Sequence, residues 1–108
     1  MFFHKELTRE KWQSLSFFEQ MANIGAEVGR TINWRVKDIE MSKSAFFRGL
    51  ELLDLTIEDS KNKSKLKELC RLKEILTDYL YFNNIYNSTD ESFNNYFYAF
   101  NYAASNKV

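Results

Sequence analysis

The sequence contains no proline, three glycines, one cysteine and one histidine. Without proline, and with so little glycine, turns lose their usual punctuation, and helices joined by short polar loops are the natural reading. A single cysteine, Cys70, excludes an internal disulfide and a cysteine-rich zinc site. It fits a reducing compartment, so a cytoplasmic protein is expected. The lone histidine, His4, lies far from Cys70 in sequence, and a nucleophilic thiol would need such a base. Cys70 is therefore read as a partly buried structural thiol. The opening MFFHKELTREK lacks the apolar run of a signal peptide, and no later run is long enough to span a bilayer. Excess charge is missing too. Lys plus Arg equals Asp plus Glu at 15 each, so no global field draws the chain to nucleic acid or an anionic membrane.

What is present is apolar patterning. The 108 residues are 44% hydrophobic, enough for one core in a single domain over 1–108, with 1–15 as an N-terminal arm. Within that arm Thr8 can cap a short helical turn through Trp12. Ser16 and Glu19 have capping-box spacing and open a helix expected over 16–37. Phe17, Met21, Ile24, Val28 and Thr31 form one stripe of it. Phe18, Ala22, Gly25, Gly29, Ile32 and Val36 form a second. A second helix is expected over 40–58, with Phe46, Leu50, Leu53 and Ile57 inward and Leu55 outward. A third spans 64–82 after the loop EDSKNK, with Leu69, Leu72 and Leu76 inside and Glu74 and Asp78 outside. A fourth opens at the Ser88–Glu91 capping-box spacing and buries Phe93, Tyr96, Phe97 and Phe100. The economical fold is all-α: an antiparallel up-down-up-down four-helix bundle.

Each helix-interior glycine costs about 1 kcal/mol relative to alanine. The stretch NIGAEVGR, residues 23–30, carries two of them. Placed on the apolar face, Gly25 and Gly29 read as room for a neighbouring helix or for aromatic rings of the fourth helix. The opposite side of that stretch then carries Asn23, Glu27, Arg30 and Trp34. Glu27 and Arg30 can pair along the helix, and Trp and Arg are enriched in binding hot spots. These four are the candidate partner-binding residues. Packing of Trp34 under the N-terminal arm, or plain exposure, are the alternatives. Tyr98 and Tyr102, off the inner stripe of the fourth helix among Asn94, Asn95 and Asn101, suggest a further contact surface.

The runs FFEQMANIGAEVGRTINW, GLELLDLTIED, RLKEIL and STDE…YFYAFNYAA, covering most of the chain from Phe17 on, resemble a family of small, uncharacterised bacterial all-helical proteins. The resemblance implies a small helical protein and no activity. Family members carry a longer, glycine-containing polar loop where this chain has RVKDIEMS.

Catalytic chemistry finds little footing. Glu51 and Asp54 give E-x-x-D, which resembles half of the motif of all-α nucleotide pyrophosphatases. The partner E-x-x-E is missing, and no E-x-x-H occurs. The outline also resembles HEPN-type ribonucleases, but their R-x4-6-H motif is absent. No cofactor or metal is expected, and a metal-dependent nucleotide hydrolase is the weakest reading. The segment KNKSKLKELCRLK could contact RNA phosphates through Lys61, Lys63, Lys67 and Arg71, with Tyr81, Phe82 and Tyr86 for stacking. Glu68 and Glu74 interrupt it. The leading expectation is a non-enzymatic protein that binds protein, as a homodimer. An RNA-binding accessory protein is the runner-up. A small mobile-element inhibitor of a bacterial defence nuclease, of the anti-CRISPR kind, is a third reading suggested by size and composition alone.

Overall fold

The computed structural model describes residues 8–105. Among these the chain is all-helical: α1 Arg9–Gln13, α2 Phe17–Trp34, α3 Ile39–Glu58, a 3-10 turn Ser60–Lys65, α4 Leu66–Tyr81 and α5 Asp90–Ser105. No helix among the described residues is long and apolar enough to cross a membrane.

Side chains supply the turns that glycine and proline would otherwise make. Thr8 caps α1, its hydroxyl accepting from Lys11 N at 3.1 Å. Ser16 and Glu19 form the expected capping box on α2, at 3.1 and 2.9 Å. Asp38 accepts from Glu40 N and Met41 N to start α3. Asp59 accepts from Lys61 N to start the 3-10 turn, which replaces the expected loop. Between α4 and α5, Asn84 and Asn87 adopt φ of 54°. This left-handed region is one that asparagine tolerates better than other non-glycine residues. The cap of α5 lies one residue later than the spacing suggested. Thr89 and Ser92, not Ser88 and Glu91, exchange reciprocal bonds at 2.9 and 3.0 Å.

α2 is the hub, packed most extensively against α3 and then α5, while α4 packs chiefly on α3. The core unites Met21, Ile24 and Val28 of α2 with Leu52 and Leu53 of α3, Leu69, Leu72 and Leu76 of α4, and Phe93 and Phe97 of α5. The arm is not wholly separate. Trp12 is buried, and its indole N–H donates to Thr56 at 3.0 Å. Below it, Gln20 donates to Trp12 O and to Asp59, and Asn62 donates to Gln20 and to Thr56 O. Lys61 closes on Asp59. Burial alone pushes the Asp59 carboxyl up, but the Lys61 ammonium, the Gln20 amide and the Lys61 backbone N–H together hold it below the usual carboxylate range.

Three sequence expectations are corrected here. Leu55 is buried, because α3 is covered on several sides. Asp78 is buried as well: the 82–89 loop folds back so that Ile85 N and Tyr86 N donate to its carboxylate. Cys70 is exposed rather than partly buried.

Candidate interaction surface

The two glycines of α2 have different surroundings. A Cβ on Gly25 would stand 2.8 Å from Phe97 Cβ, so the bare backbone is what lets α5 close on α2, as the pattern suggested. A Cβ on Gly29 would meet no neighbouring atom within 4 Å. The centre of the buried arc falls on Ile24, Val28 and Met21, not on the glycines. At 100° per residue Glu27 lies about 60° from Ile24. That rotation corrects the partner-binding set. Glu27 is buried on the α3 side, where it pairs with Arg30 at 3.1 Å and Arg48 at 3.4 Å. Arg48 also donates to Ser44 at 2.9 Å. Gly49 lies beside this cluster, where a Cβ would make an ordinary contact with Glu27 Cβ at 3.4 Å.

Asn23, Arg30 and Trp34 do stay exposed, with Trp34 at 37%. Asn23 donates back to Glu19 O at 2.8 Å, a local bond within the helix. The described part of the arm packs at the other end of α2, beside Gln20, and so does not cover Trp34.

The basic segment is largely engaged within the chain. Lys61 binds Asp59 and Gln13 O, Lys73 binds Asp54 at 2.7 Å, and Lys65 sits over the Phe17 ring. Arg71 lies over Tyr86, its guanidinium carbon 5.5 Å from the ring centre. Lys63 and Lys67 are exposed. Tyr81 packs one side on Phe46 at 4.8 Å between centroids, and Tyr81, Phe82 and Tyr86 are all exposed.

Between α3, α4 and the following loop lies an open cavity of about 830 Å³, with Ile57, Cys70, Phe82, Ile85 and Tyr86 along its walls. Most of its charged and hydroxyl groups already have partners. Lys73 holds Asp54, Thr77 donates to Lys73 O, Tyr86 donates to Glu74, and Asp78 accepts from the loop. Ligand pockets usually aim a few polar groups inward to orient their guest; here those groups face one another. Among the described residues no group of three or more His, Cys, Asp or Glu side chains could hold a metal ion.

α5 has a different surface. From Ser92 to Ser105 it carries no charged side chain. Phe93 and Phe97 are buried, yet Tyr98 is 68% and Tyr102 is 59% exposed. Their rings stack on one another at 6.5 Å. Asn94, Asn95, Ala99 and Asn101 surround them on the exposed side. A solvated helix face normally carries Lys and Glu. A surface rich in tyrosine and depleted of charge has the composition of an interface core. Charge marks only the start of this helix, where Asp90 takes both oxygens to Arg35, at 3.0 and 3.1 Å, and accepts from Tyr79. Burial pushes the Tyr79 hydroxyl up, and the bond to Asp90 adds to that.

Compared with known proteins, the chain matches no family description, no curated protein and no solved structure.

Proposed function

We propose that this chain is a non-enzymatic helical protein that works by binding protein, as a homodimer. The observation that supports it is the outer face of α5, exposed, uncharged and carrying the stacked pair Tyr98 and Tyr102. Exposed aromatic area of this kind is uncommon on lone monomers and favours a contact. Trp34 and Arg30 are exposed as well, but on the side of α2 turned away from Gly25 and α5. In this reading α2 to α5 form an antiparallel up-down-up-down four-helix bundle, joined by short connections, in a cytoplasmic bacterial protein of the small helical family its motifs resemble. Light scattering on the eluting chain tests the assembly: a mass near twice the monomer at tens of micromolar is expected. A monomer mass up to several hundred micromolar would sink the homodimer.

A second reading has one observation in its favour. Arg71 stacked on Tyr86, with Lys63 and Lys67 exposed on the same segment, offers RNA phosphate contacts beside an outward ring. Binding of single-stranded RNA at low salt, weakened when Lys63, Lys67 and Arg71 are neutralised together, is its signature. No binding at low salt would remove it.

A further inference from the structure

A recess of about 230 Å³ lies between α2 and α5, bounded by Ala22, Gly25 and Ala26 on one side and by Asn94, Tyr98 and Asn101 on the other. One turn along α2 from Gly25 stands Gly29, where an added Cβ would meet no neighbouring atom within 4 Å. A helix-interior glycine with empty space around it costs helix stability and gains no packing within the monomer. An approaching group from outside would account for it.

We propose that the recess is filled by a tyrosine of a second copy, in a two-fold contact built on α5. The proposal rests on the homodimer reading and specifies its surface. Three observations select a second copy over a foreign partner. In a two-fold contact, residues near the axis meet their own counterparts. A charge there would face its like at short range, a repulsion that neutral residues avoid. The α5 face meets this condition, with no charge from Ser92 to Ser105. Next, its polar residues are asparagines, each carrying both donors and an acceptor, so an asparagine can pair with its own copy. Lastly, knob and hole lie on the same surface. A cavity of about 150 Å³ is enough for a benzene ring, so the recess accepts one phenol ring. Tyr102, one turn beyond Tyr98, is the ring in excess. With the two α5 helices antiparallel and the axis near Tyr98, the Tyr102 ring of one copy comes level with Asn94 of the other, at the rim of the recess. Antiparallel α5 helices also place opposite dipole ends together.

The test uses sedimentation equilibrium on the full chain and three variants. Ala26→Arg puts a charge at the wall of the recess, and Tyr102→Ala removes the ring. Both positions are exposed, so the fold, checked by circular dichroism, is expected to persist. Each change raises the dimer dissociation constant about tenfold or more, a loss of about 1.4 kcal/mol, while Trp34→Ala leaves it within about twofold. A pair test adds residue-level reach: in a Cys70→Ser background, Ala26→Cys mixed with Tyr102→Cys gives a disulfide-linked heterodimer under mild oxidation. A wild type that stays monomeric overturns the homodimer and this contact together. A wild-type dimer indifferent to Ala26→Arg and Tyr102→Ala, or weakened mainly by Trp34→Ala, overturns the α5 contact and leaves the homodimer standing.

Discussion

The two flanks of α2 are held by different physics. Toward α3 the seam is polar: Glu27 with Arg30 and Arg48, Ser42 donating to Thr31 O at 2.7 Å, and Gln20 with Asp59 and Asn62. Toward α5 it is aromatic: Phe97 on Gly25, with Phe17 and Phe100 edge to face at 5.7 Å. Directional bonds fix register on the first flank, and shape fixes it on the second. The polar flank is closed, since no buried side-chain polar atom among the described residues lacks a partner. The aromatic flank continues outward into Tyr98 and Tyr102 and offers surface to something else.

Substitutions on each flank separate the two mechanisms, and the largest effect falls on the aromatic side. Phe97→Ala removes the ring that fills the Gly25 gap and lowers stability by about 3–5 kcal/mol, read as a shift in urea midpoint. A loss below about 1 kcal/mol would show that α5 is held by its Arg35–Asp90 clasp instead. On the polar side, Glu27→Ala leaves Arg48 without its carboxylate and costs about 2 kcal/mol. Glu27→Gln should recover part of that, since the shape is kept. Asp59→Asn costs about 1–2 kcal/mol at neutral pH and changes the acid limb of the stability profile. The folded Asp59 carboxyl titrates below its ordinary value of 3.8, so its contribution is full above that value and fades as pH falls through the folded pKa. Thermal melts from pH 6 downward should therefore fall less steeply for the variant; parallel curves would refute the link. The smallest effect has the opposite sign. Gly29→Ala stabilises dilute, monomeric protein by about 0.5–1 kcal/mol, because the methyl enters open space on a helix. The same change at Gly25 destabilises, since its Cβ would stand 2.8 Å from Phe97.

The sequence carried more of the skeleton than of the surface. Capping at Thr8 and at Ser16 with Glu19 is local chemistry, and a spacing reads it directly. The apolar stripes of α2 and α4 place Met21, Ile24, Leu69 and Leu72 in the core without further help. The errors come from residues buried by a neighbour rather than by their own hydrophobicity. Gln20 and Glu27 are polar, so a wheel weighted by hydropathy leaves them outside, and the arc drifts toward the glycines. Leu55 reads as outward only if α3 has a single buried stripe, whereas α3 packs on α1, α2 and α4 at once. Asp78 is buried by a loop that returns seven and eight residues later, a closure no wheel represents. The clearest missed signal was available: the uncharged run from Ser92 to Ser105 is visible in the letters alone.

The placement of the two tryptophans gives the molecule a pair of built-in optical reporters. Trp12 is 3% exposed beneath the polar corner near Gln20, and Trp34 is 37% exposed at the far end of α2. The helix between them runs about 27 Å. Acrylamide should quench Trp34 readily and Trp12 poorly. With either indole replaced by phenylalanine, the emission of the other follows one end of the hub alone. Two such curves would show whether the corner tied by Asp59 and the end near Arg35 melt together or fray in turn.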